Sequence, residues 1–240
     1  MNDPLHQFQI HTLFPLKIEG VDVSFTNSSL FMVAAVLLTT VFLIGGMGRA
    51  RLIPGRWQSM VEIVYEFVAT LLDEAVGDKG KQYLPFIFTL FMFVLMGNLI
   101  GMIPYGFTFT SQVIVTFGLA MIAFGLATMI GFIRHGFRYF TLFVPTGTPV
   151  YMLPLIVPIE ILSYLSRPIS LSIRLFANMM AGHTMLKVFA GFTVALGFFG
   201  IAPLAINVLL TAFEMLIAVL QAYVFTILTC IYLHDSIHLH

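Results

Sequence analysis

Charge is what this 240-residue sequence most lacks: Lys, Arg, Asp and Glu together make up only 9% of it. A soluble domain carries roughly 25% charged residues, so this chain cannot clothe itself in a solvated surface. Apolar residues reach 59% and the mean hydropathy is +1.00, which places the chain in a membrane. Eleven basic residues balance eleven acidic ones, leaving no cationic face for nucleic acid. The one cysteine, Cys230, sits in an apolar run and excludes both a disulfide scaffold and a cysteine-based metal cluster. Also missing are a P-loop, a Gly-rich dinucleotide fingerprint, HExxH and GxSxG. Nucleotide chemistry, hydrolysis and a bound cofactor are therefore not expected on this chain. The first 27 residues lack a basic stretch before an apolar one and do not read as a cleaved signal peptide.

What is present is a series of apolar runs. A helix needs about 20 apolar residues to cross a hydrocarbon core of about 30 Å. Residues 28–48, 84–104 and 112–133 each meet that length. Gly97 and Gly101 form a GxxxG spacing, which predicts close packing between helices. Residues 57–76 differ: Glu62, Glu66, Asp73 and Glu74 lie on one side, with Val64, Phe67, Val68, Leu71 and Ala75 on the other. That pattern predicts an amphipathic helix lying at the interface with Trp57 as its anchor. Residues 150–195 form one helix-compatible run that would be about 68 Å long, so it either breaks or lies steeply tilted. Pro154 and Pro158 suit first turns and Pro168 is expected to bend the interior. Gly197, Gly200 and Pro203 mark a turn, and residues 201–233 return.

The expected fold is an all-α integral membrane protein. It has about five membrane-embedded helices plus one interfacial amphipathic helix, the last two forming a long, steeply tilted hairpin. It divides into an extracytoplasmic arm (1–27), peripheral transmembrane helices (28–146) and the hairpin with a short cytoplasmic tail (147–240). Arg49, Arg51, Arg56, Lys79, Lys81, Arg134 and Arg138 fall in two loop regions. Basic loops stay cytoplasmic, so the N-terminus is expected outside and the C-terminus inside. His234, Asp235, His238 and His240 read as part of a flexible cytoplasmic tail rather than as metal ligands.

Ionisable groups at membrane depth cost about 2.5–3.5 kcal/mol on insertion scales and usually face protein or water for a functional reason. The first three spans have none in their interiors, whereas the hairpin holds Glu160, Arg167, Arg174, His183, Lys187 and Glu214, with Asn178 and Gln221. Ser170, Arg174 and Asn178 recur every four residues and share a face. Glu160, fourteen residues before Arg174, lies near that face, while His183, nine residues after it, points the opposite way. Antiparallel return brings His183 towards Glu214 on the outer side and Gln221 towards mid-membrane. His183 and Glu214 can exchange protons near neutral pH when their surroundings shift them, and Glu160 can do so further in. Arg174 stays charged and so acts as a gate whose carboxylate partner is expected on another protein. Other readings stand beside these: Glu160 pairing with Arg167, Arg167 and Lys187 snorkelling, Ser163, Ser170 and Ser172 bonding back to the helix, and Asn178 and Gln221 joining helices.

The strings SRPISLSIRLFANMMAGH (166–183), GNLIGMIP (97–104) and LQAYVFTILTCIYL (220–233) resemble the subunit a family of the F-type ATP synthase membrane sector. The resemblance covers the chain from about Asn27 to its C-terminus. It implies a stator beside a ring of c subunits, held by b-type peripheral stalk subunits and coupled through the complex to a catalytic head. Protons would pass through two offset half-channels to and from ring carboxylates. Arg174 would be the arginine that separates those half-channels, with Asn178 and Gln221 beside it. His183 and Glu214 would form the outer pair, exchanged relative to members that carry Glu first and His second. Glu160, Ser163 and Ser170 would lie on the inner side. The competing reading is a secondary transporter in which Arg174 binds a small organic anion, although no internal repeat supports it.

Overall fold

The computed structural model describes residues 8–15, 17–18, 21–22, 24–48, 53–103, 106–144 and 150–238. Six helices dominate these residues: α1 (Asn27–Met47), α2 (Arg56–Val76), α3 (Leu84–Gly101), α4 (Val113–His135), α5 (Leu153–Ala195) and α6 (Ile201–Ile237). All except α2 are long and apolar enough, with their flanking turns, to cross a membrane. Ahead of α1, β1 (Thr12–Phe14) pairs antiparallel with β4 (Phe25–Thr26), enclosing the shorter pair β2 (Lys17–Ile18) and β3 (Val21–Asp22). The Thr26 side chain caps α1 by accepting from the Ser29 N–H.

The helix ends follow from local chemistry. Pro85 and Pro154 sit at the starts of α3 and α5, where a missing N–H costs nothing. Gly77 and Gly136, which end α2 and α4, adopt φ of +74° and +54°, a region open to glycine. The run predicted over 150–195 is one continuous helix through Pro158 and Pro168. Its 43 residues span about 64 Å and the 37 of α6 about 56 Å. Neither fits upright in a core of about 30 Å, so both run obliquely.

α6 is the central element, packed against α2, α3, α4 and α5. Lipid tails are as apolar as a protein core, so close packing rather than water exclusion selects these contacts. Accordingly Ala120, Ala123 and Ala127 on α4 and Ala218 and Ala222 on α6 are fully buried. Phe91, Leu175, Met179 and Phe225 fill the space between them. Large residues such as Leu37, Val41, Ile44 and Ile114 are exposed and face the lipid.

α2 is amphipathic as expected: Glu62, Glu66, Asp73 and Glu74 are exposed, Val68 and Leu71 are buried, and only Phe67 of the apolar set remains 43% exposed. Its apolar side packs on other helices, and Trp57 donates from its indole to the Phe42 carbonyl of α1 at 3.0 Å. Two expectations change. Gly97 and Gly101 make room for Phe109 and Thr108 of the turn between α3 and α4 rather than for another helix. His234 and Asp235 belong to α6 instead of a flexible tail, whereas Arg49, Arg51 and His240 lie outside the described residues.

Candidate functional site

The buried polar chemistry collects where α5 and α6 face each other. His183 and Glu214, both buried, approach to 3.2 Å between Nδ1 and Oε1. The contact is a short approach without hydrogen-bond alignment, since neither Glu214 oxygen has a hydrogen-bond partner. Gly182 permits it: a Cβ there would stand 2.5 Å from Glu214 Oε1. The other imidazole nitrogen, Nε2, lies 2.9 Å from Thr108 Oγ1. Phe8 from the N-terminal segment places its ring 6.4 Å from the imidazole, held by Gln112 Nε2 donating to the Phe8 carbonyl at 2.8 Å.

About one and a half turns towards the start of α5, Asn178 Nδ2 donates to Gln221 Oε1 at 2.9 Å. Between Glu214 and Gln221 on α6, Asn98 of α3 donates to the Ala218 carbonyl at 3.1 Å. Asn98 is fully buried, and its Oδ1, Gln221 Nε2 and Asn207 Oδ1 have no partner among the described residues. Asn207, Glu214 and Gln221 repeat every seven residues and so share a face of α6. A stripe of unpaired polar atoms at membrane depth needs water or a moving proton to satisfy it.

Arg174 faces the opposite way from His183. It is exposed and makes no ion pair or hydrogen bond with a described residue. Ser163 and Ser170 are exposed on the same helix, and Glu160 is half-buried. Glu160 lies about 21 Å from Arg174 towards the start of α5, and His183 about 14 Å towards its end. Glu160 does not pair with Arg167. The Arg167 guanidinium instead donates to Asp235 Oδ2 at 2.7 Å, between the rings of Tyr164 and Tyr232. Tyr164 in turn shares hydrogen bonds of 2.7 Å with Thr128 and Tyr139, tying the N-terminal part of α5 to α4 and the turn after it.

The profile of the family described as ATP synthase A chain matches residues 28–234. The chain belongs to the ATP synthase A chain family. Relatives named ATP synthase subunit a include one from Allorhizobium ampelinum, 56% identical over 99% of this chain and 98% of its own. One from Chelativorans sp. is 55% identical, covering 98% of each chain, and one from Paramagnetospirillum magneticum is 54% identical over the whole of both. The organic-anion transporter reading falls with this family membership. Every side chain singled out in the sequence as a pathway residue lies inside the stretch that matches the ATP synthase A chain family.

Sequence reasoning missed Thr108, Asn98 and Asn207, and it read Asp235 as solvated tail rather than as the partner of Arg167. Asn98 carried a signal, as an amide within an otherwise apolar span, and Asn207 repeats the Glu214–Gln221 spacing. Thr108 sits in a loop and had none.

Proposed function

We propose that the α5–α6 hairpin carries two offset half-channels kept apart by Arg174. His183, Glu214, Asn178 and Gln221 form the outer path, and Glu160, Ser163 and Ser170 line the inner side. The chain is the proton-channel stator subunit of an F-type ATP synthase, a multi-pass membrane subunit without the catalytic site. It works with the c-ring, the stalk subunits and the catalytic head in a lipid bilayer.

The observation that carries the residue assignment is the solitary guanidinium of Arg174. Arginine remains protonated at every working pH, so a proton cannot hop through it. Exposed and without an ion pair or hydrogen bond among the described residues, it is free to meet a carboxylate on the passing ring. Protons collected on the buried His183–Glu214 side must then travel with the ring to reach Glu160. One charge moved through 100 mV releases about 2.3 kcal/mol, so several must be summed for one ATP, and a direct leak would discard them singly.

The host membrane in this reading is the bacterial inner membrane, with the N-terminus outside and the C-terminus cytoplasmic. Relatives from bacteria and the basic residues between α1 and α3 and after α4 support it. The test is ATP-driven proton pumping by vesicles holding the assembled complex, with Arg174→Ala compared with wild type. Pumping lost with assembly and head ATPase intact is the expected result. Unchanged pumping overturns the assignment.

A further inference from the structure

Thr108 lies in the turn between α3 and α4, 4% exposed, and no functional role for it follows from the sequence. Threonines in the helices of this chain mostly bond back to the carbonyl four residues earlier, as Thr39, Thr89, Thr184 and Thr226 do. Thr108 instead directs its hydroxyl at His183 Nε2, 2.9 Å away. Its backbone is fixed for this: the Ser111 hydroxyl and the Ser111 N–H both donate to the Thr108 carbonyl, at 2.6 Å and 3.0 Å. A Cβ at position 101 would collide with Thr108 Oγ1, so Gly101 is what lets this turn sink against α3. The Phe8 ring covers another side of the imidazole.

We propose that Thr108 is a relay residue of the outer half-channel, handing protons to His183 Nε2. This rests on the half-channel reading above and deepens it. A hydroxyl both donates and accepts, so it can pass a proton without holding a charge. An outer hydronium gives a proton to Oγ1 and is left as water, as the Thr108 O–H bond breaks and an N–H bond forms at Nε2. The hydroxyl is whole again and the ring is imidazolium. Its Nδ1–H bond then breaks, and the proton forms an O–H bond on Glu214, whose Oε1 lies 3.2 Å away. One proton has entered, one has left the ring, and the carboxylate has become a carboxylic acid. The neutral ring regains its starting tautomer by proton exchange with water.

The test measures passive proton flux through assembled membrane sectors in vesicles after the catalytic head is stripped. Thr108→Ser keeps the hydroxyl and drops the methyl; Thr108→Val keeps the shape and drops the hydroxyl. Thr108→Ala, which only removes atoms, guards against overpacking, and co-purification of the ring reports assembly. The expected ranking is wild type near Thr108→Ser, with both hydroxyl-free variants about tenfold to a hundredfold slower. A hydroxyl-free variant conducting at the wild-type rate overturns the relay, as does a slow Thr108→Ser beside a normal Thr108→Val, which marks packing alone. His183→Ala and Glu214→Gln run in parallel. If those two lose flux and Thr108→Val does not, only the relay fails; if neither loses flux, the half-channel reading itself fails.

Discussion

At position 182 one methyl group separates glycine from alanine, and that methyl would stand 2.5 Å from a Glu214 carboxylate oxygen. Gly182→Ala is therefore expected to push the carboxylate off His183 and slow passive proton flux about tenfold while the ring still co-purifies. Gly191→Ala on the same helix meets open space within 4 Å and serves as the control that leaves flux unchanged. Helix arithmetic alone separated the faces of Arg174 and His183, because both lie on one unbroken element. It could not find Thr108 or Asn98, whose partners lie 75 and 120 residues away in sequence. Only packing of the α3–α4 region against the hairpin brings them there.

Among the elements, α5 and α6 were readable because their length and their ionisable groups contradict a simple span. Their inner ends were not. Asp235 follows a histidine near the chain end and reads as solvated, yet it closes the hairpin on Arg167. Both side chains are a little over a quarter exposed, so losing one partner is expected to cost about 1–2 kcal/mol, between surface and buried pairs. Asp235→Asn should lower the thermal midpoint of the purified complex. The exchange Arg167→Asp with Asp235→Arg should recover most of that loss, and a double exchange no better than the single variant would mean the pair contributes nothing. The apolar side of α2 was legible, but the neighbours that cover it were not. In a membrane, residues facing lipid and residues facing protein are equally apolar, so hydropathy marks a face without saying what covers it.

For the molecule as a whole, the proposed topology of five crossings places the two termini on opposite sides, and the single cysteine makes its first three crossings easy to check. Cys230 is fully buried, so a new surface cysteine is the group a thiol reagent meets. Gln9→Cys, in the exposed N-terminal segment, is expected to react with a membrane-impermeant reagent in right-side-out vesicles. Phe137→Cys, exposed after α4, should react only in inverted ones. Labelling of both from the same side would remove one crossing from the count.

Arg174 carries a last consequence, for biogenesis. An arginine at the centre of a bilayer-spanning helix costs about 2.5–3.5 kcal/mol to insert, and this one finds no counter-charge among the described residues. The polypeptide leaves the insertion machinery with its most strained group still unanswered. In the proposed reading, completion comes from a carboxylate of the ring. A subunit made ahead of its ring is thus an unfinished product, prone to snorkelling, local thinning of the bilayer and proteolytic clearance. In the proposed reading, the charge that governs traffic in the mature machine also favours joining the subunit to its ring early.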